Sequence, residues 1–131
     1  MLIGSSTLLI YPVSREFSRR QSLITAAQAV EASLSAARLQ AISSNLSVRL
    51  SIHPDGRQFS LAAGKGEPAF WNTLPSGVAF VQIPVREIAF HSRGNASPAG
   101  SVTLQNEAGH IRVIASVSGR IRRSGPSFDG A

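Results

Sequence analysis

The chain has no cysteine, which excludes a disulfide framework and any thiolate metal site. Acid is scarce. Seven carboxylates stand against 12 arginines and one lysine, giving a formal net charge of +6 and a pI near 11.5 over 131 residues. Such a balance favours anionic partners without choosing among nucleic acid, lipid headgroups and an acidic protein face. No apolar run reaches the roughly 20 residues that a helix needs to cross a bilayer. There is no internal repeat and no low-complexity segment. Proline and glycine are missing between Val13 and Asn45, so one long stretch of chain has nothing to interrupt it.

That stretch, Arg15 to Asn45, organises the rest. Leu23, Ala27, Val30, Leu34, Ala37 and Ala41 recur at spacings of four and three, the seam of a helix of about eight turns. Glu31, Arg38 and Gln40 point elsewhere, while Ala26, Ala29, Ala32 and Ala36 raise helix propensity. Asn45 tolerates left-handed geometry and is the expected C-cap. A helix of this kind needs a partner surface in water, and the remaining chain must supply it.

Ahead of the seam, MLIGSSTLLIY is apolar or small throughout and is followed by Arg15, Arg19 and Arg20, the flanking expected where a helix meets lipid headgroups. A frayed or buried N-terminal helical turn fits the stretch too, but the flanking favours reading residues 1–13 as the second half of a membrane helix, with about ten further apolar residues expected upstream. Pro12 is expected to kink that helix rather than end it.

After Asn45 the hydrophobic period changes from 3.6 to 2. Leu46, Val48, Leu50 and Ile52 alternate with polar residues as a half-buried strand, and Pro54-Asp55-Gly56 turns the chain into Gln58–Ala62. Gly64 to Pro68 is a loop, and Phe70-Trp71 opens a short apolar piece. Leu74 to Gly77 turns into Val78–Ile83, which Pro84 ends or confines to an edge. Ile88 and Phe90 are expected to face the core, Val102 and Leu104 alternate with Thr103 and Gln105, and Ile111, Val113, Ala115 and Val117 form the inward row of the last long strand. The layout is α+β: a helical segment 1–45, an antiparallel β domain 46–123, and a loose tail 124–131.

Catalytic chemistry finds no foothold. His53, His91 and His110 fall on separate strands without metal-ligand spacing. The serines form no nucleophile elbow, and Gly64-Lys65-Gly66 lacks the rest of a P-loop. Trp71 reads as a core or rim aromatic before it reads as a stacking platform. We therefore expect no enzyme activity, cofactor, metal or small-molecule substrate. The basic C-terminal stretch is different: Ala108 to Ser127 carries Arg112, Arg120, Arg122, Arg123 and His110 with no acid. Period-2 geometry sets Arg120 and Arg122 on one face about 7 Å apart, near the phosphate repeat of a nucleic-acid strand. A solvated edge protected by arginines, or a contact with an acidic neighbour, fits the same residues.

Taken in order, the fragments resemble the GspH/FimT-type minor pilins and pseudopilins of type II secretion systems and type IV pili. Leu8-Leu9-Ile10-Tyr11-Pro12 looks like the second half of a prepilin helix, and Ala37-Arg38 through Ala41-Ile42 to Asn45 like the run before the family's first strand. Trp71 with Leu74 to Val78, Ile88 to Phe90 followed by Gly94 and Val102 to Leu104, and the closing Ser118-Gly119-Arg120-Ile121-Arg122 match later segments. A prepilin peptidase site and an early acidic residue are absent. The resemblance implies a non-catalytic filament subunit, anchored in the bacterial inner membrane with its globular domain in the periplasm. Its assembly helix would include Leu8, Leu9, Ile10, Pro12 and Phe17, and its partners would be other pilin-like subunits. The alternative it implies is a pilus-associated subunit that takes up DNA through Arg112, Arg120, Arg122 and Arg123.

Overall fold

The structure, a computed structural model, describes residues 2–64 and 71–128, with helix side chains described from Phe17 onward. Among the described residues one helix, α1 (Leu2–Ser44), precedes eight strands: β1 (Val48–Ile52), β2 (Gln58–Ala63), β3 (Asn72–Thr73), β4 (Ala79–Gln82), β5 (Ala89–Phe90), β6 (Gly100–Asn106), β7 (Gly109–Ala115) and β8 (Ile121–Phe128). The helix continues through Pro12 and stops where Asn45 turns to φ 59°, its N–H still donating to the Ala41 carbonyl at 3.1 Å. Asn is the residue after which a helix can end this way at low cost.

The strands divide into two antiparallel four-stranded sheets, β3-β2-β1-β5 (sheet A) and β4-β6-β7-β8 (sheet B). Every seam residue from Leu23 to Ala41 is fully buried against them, together with Ala26, which propensity alone had singled out. Val102 and Leu104 of β6 and Ile111, Val113 and Ala115 of β7 meet this seam, while Val48, Leu50, Ile88 and Phe90 fill the space beneath sheet A. Phe59 and Phe80 join the sheets edge to face, with ring centroids 6.0 Å apart.

Three expectations change. Val117 is 68% exposed, because β7 ends at Ala115 and the chain is already turning. Leu46 is likewise exposed, since β1 begins only at Val48. Ser124 to Phe128 is not a loose tail: β8 runs through it, pairing Ser124 with Arg112, Ser127 with His110 and Phe128 with Gly109. The segment is exposed yet ordered by the backbone ladder. Lys65 to Phe70 and residues 129–131 lie outside the described residues.

Candidate interaction site

Polar ties at three heights hold the β domain to the helix, the upper two on sheet B and the lowest on the loop between β5 and β6. At the top, Arg19 pairs with Glu107 at 2.9 Å, the Asn106 amide donates to the Arg19 carbonyl at 2.7 Å, and the Arg20 guanidinium lies over the Phe128 ring at 4.9 Å. At mid-height Arg123 reaches Glu31 at 2.9 Å, both side chains about two-thirds buried, with relative exposures of 33% and 29%. Near the bottom Arg38 Nε donates to the Gly94 carbonyl at 2.9 Å. Gly119 packs onto that junction at φ +89°, where a Cβ would collide with the Gly94 carbonyl and sit 2.9 Å from Arg38 Nε. Arg38, Gly94 and Gly119 therefore form one joint, drawn from three separate sequence fragments.

The four candidate arginines are not brought together. Ile121 and Arg123 pair with Ala115 and Val113, which puts Arg123 on the helix side with Glu31 as its partner. Arg122 pairs with Ile114, and Arg112 with Ser124, so these two are diagonal neighbours on the outer face of sheet B. Arg120 precedes β8, its carbonyl accepting from the Ser116 N–H at 2.9 Å, and it lines a separate cleft beside the helix. That cleft, of 520 Å³, is bounded by Ser35, Arg38, Leu39, Ser118, Gly119, Arg120 and Ile121. A second, polar groove of 450 Å³ crosses the outer face, where His110 and Arg112 stand among Gln82, Thr103, Gln105, Ser124 and Ser127.

Of the candidate assembly residues, Phe17 is 68% exposed and borders a shallow groove with Gln21, Thr25 and Pro75. The side chains of Leu8, Leu9, Ile10 and Pro12 lie outside the described residues. No helix among the described residues is long and apolar enough to cross a membrane.

The histidines are held apart. His53 meets Asp55 at 3.2 Å and stacks edge-on to Trp71 at 5.1 Å, which makes Trp71 a half-buried rim residue. His91 donates from Nε2 to the Ser97 carbonyl at 2.7 Å and accepts at Nδ1 from Ser47 at 2.9 Å. His110 stands on the outer face of β7. Among the described residues no group of three His, Asp or Glu side chains could hold a metal ion. The Arg57 backbone N–H, donating to Asp55 at 2.8 Å, holds that carboxyl below the usual carboxylate range. Asp55 shapes the β1–β2 turn.

Sequence reasoning missed the cleft at Arg38 and Leu39. Its one readable signal is that residues 32–54, 88–106 and 108–128, parts of which supply this end of the molecule, contain no acid.

A family model for GspH, described as type II transport protein GspH, matches residues 26–119. No curated protein matches the sequence. Solved structures of similar fold include the type IV minor pilin FimU of Pseudomonas aeruginosa, with TM-score 0.68 and 20% identity over 88% of this chain and 98% of that one. The minor pseudopilin EpsH from the type 2 secretion system of Vibrio cholerae has TM-score 0.63 and 18% identity over 81% of this chain and 98% of its own. At such identities the likeness speaks for the fold.

Proposed function

This chain belongs to the GspH family of minor pilins and pseudopilins, and from that premise we propose that it is a minor pseudopilin that starts or caps a short periplasmic filament of a type II secretion system. The family is a structural one. The observation that carries the reading is the division of α1. Its lower half is covered by the chain's own sheets along Leu23 to Ala41, and the uppermost described ties lie at Arg19 and Arg20. Above them the same helix continues for about five more turns to Leu2. In this reading the upper helix, with Leu8, Leu9, Ile10, Pro12 and Phe17, anchors in the inner membrane and packs against the helices of other pilin-like subunits, leaving the sheets in the periplasm. Co-purification from detergent-solubilised membranes tests it: retention of at least one pilin-like subunit encoded nearby is expected, and recovery of none would contradict it.

A second reading draws on the outer face of sheet B. Arg112, Arg122 and His110 share that face, and no acid lies between Ala108 and Phe128. A pilus subunit using it would hold DNA by its phosphates, since a sheet face with spaced cations offers charge but no groove-reading helix. Binding would be indifferent to sequence and would fall steeply with salt. Fluorescence anisotropy on duplex DNA across a salt series checks this. Replacing Arg112 and Arg122 by Gln should lower the slope of log affinity against log salt by about two. An unchanged slope would remove the reading.

A further inference from the structure

The cleft between α1 and the β7–β8 turn is used by neither reading. We propose that it receives an acidic segment of a partner protein, seating a carboxylate between Arg38 and Arg120 and an adjacent apolar side chain against Leu39 and Ile121.

Its volume of 520 Å³ falls in the range of clefts that take a ligand group, here a pair of side chains. Its electrostatics are one-sided. Among the described residues no carboxylate pairs with Arg38 or Arg120, and the three segments that contribute to this end are free of acid while carrying Arg38, Arg93 and Arg120. Of the acids that flank these segments in sequence, Glu31, Glu87 and Glu107 are engaged by Arg123, Arg49 and Arg19, Asp55 is engaged within the β1–β2 turn, and Asp129 lies outside the described residues. Arg38 is also held in place: its Nε is engaged by the Gly94 carbonyl, and the glycine at 119 lets the turn close over it. The rest of its fork retains donors suited to a carboxylate. Leu39 is 67% exposed at the cleft and Val117 is equally bare in the adjoining turn, so an apolar contact waits beside the charge.

The placement favours a discrete acidic segment over a polyphosphate chain. A phosphate track needs cations in a row, whereas Arg123 is neutralised by Glu31 and Arg112 and Arg122 lie on the outer face of the sheet. The inference stands apart from helix assembly, so its failure would leave the filament reading untouched.

The test titrates the 131-residue chain in neutral detergent with a labelled peptide of alternating Asp and Leu, its Asn-for-Asp counterpart, and a short labelled duplex DNA. Saturable binding of the acidic peptide alone is expected. Arg120→Gln and Leu39→Asn, both at exposed positions, should each weaken it about tenfold, while Arg112→Gln leaves it unchanged. Hydrogen exchange on the unsubstituted chain reads the site without any variant: protection on peptide addition should fall on residues 35–39 and 118–121. No saturable binding, equal binding of the Asn peptide, protection elsewhere, or DNA binding that depends on Arg120 would each overturn the proposal.

Discussion

The two faces of the β7–β8 pair share a backbone and little else. Toward the helix stand Ile111, Val113 and Ala115, with Arg123 locked to Glu31. Outward stand His110, Arg112 and Arg122, solvated and without an acid on the same strands. Alternation along two strands thus separates arginines that a charge count treats as equal. One of them fastens the fold; the others remain available to a partner. A cluster of basic residues becomes a site only once the pairing register says which of them share a side.

The sharpest way to break the contrast is from the inner face. Leu34→Ala should cost about 2–5 kcal/mol by opening a cavity in the seam, whereas Ala32→Gln, on the exposed flank, should change stability by about 0.5 kcal/mol or less. Urea melts of both variants measure the difference. Equal losses would mean that the seam does not carry the packing.

Next comes the joint at the base. Gly119→Ala demands a left-handed backbone with a Cβ and pushes on the Gly94 carbonyl, so a loss of about 1–3 kcal/mol is expected. The exposed neighbour Ser118→Ala should be close to neutral in the same melts.

A smaller effect separates the arginines themselves. Arg123→Gln removes the partner of Glu31 and should cost about 1 kcal/mol at the upper end of partly exposed pairs. Arg112→Gln and Arg122→Gln should each stay within about 0.5 kcal/mol. If all three behave alike, the two faces are not distinct.

The smallest effect is acid sensitivity at the β1–β2 turn. Because the folded-state pKa of Asp55 is lowered, its contribution is present above the ordinary carboxylate pKa. It is lost as pH falls through the lower folded value, and Asp55→Asn should abolish that increment. Amide exchange at Arg57 as a function of pH reads it.

Much of this was legible in the chain. The seam was readable because six small or aliphatic residues keep helical spacing over nineteen positions, and Asn45 because few residues accept its backbone angle. Division into two sheets was not, since strand order follows from non-local pairing. The extent of β8 was hidden by its composition: Ser124 to Ser127 reads as loop, yet Gly109 to Arg112 offers it a ladder. The facing of Arg123 could have been found. It shares parity with Ile121, an apolar residue that must turn inward, and Arg122 does not. The cleft at Arg38 stayed unread because its walls lie more than fifty residues apart in sequence.

The central claim is that the upper helix of this GspH-family chain assembles with other pilin-like subunits. The absence of native cysteine makes one measurement direct. A single Leu9→Cys substitution, expressed alongside neighbouring pilin-like subunits carrying a cysteine at the matching helix position, should yield an intersubunit disulfide adduct on mild oxidation. Ser43→Cys, at the far end of the same helix, should give none with those partners. Adduct formation at Ser43→Cys but not at Leu9→Cys, or at neither, would contradict the account.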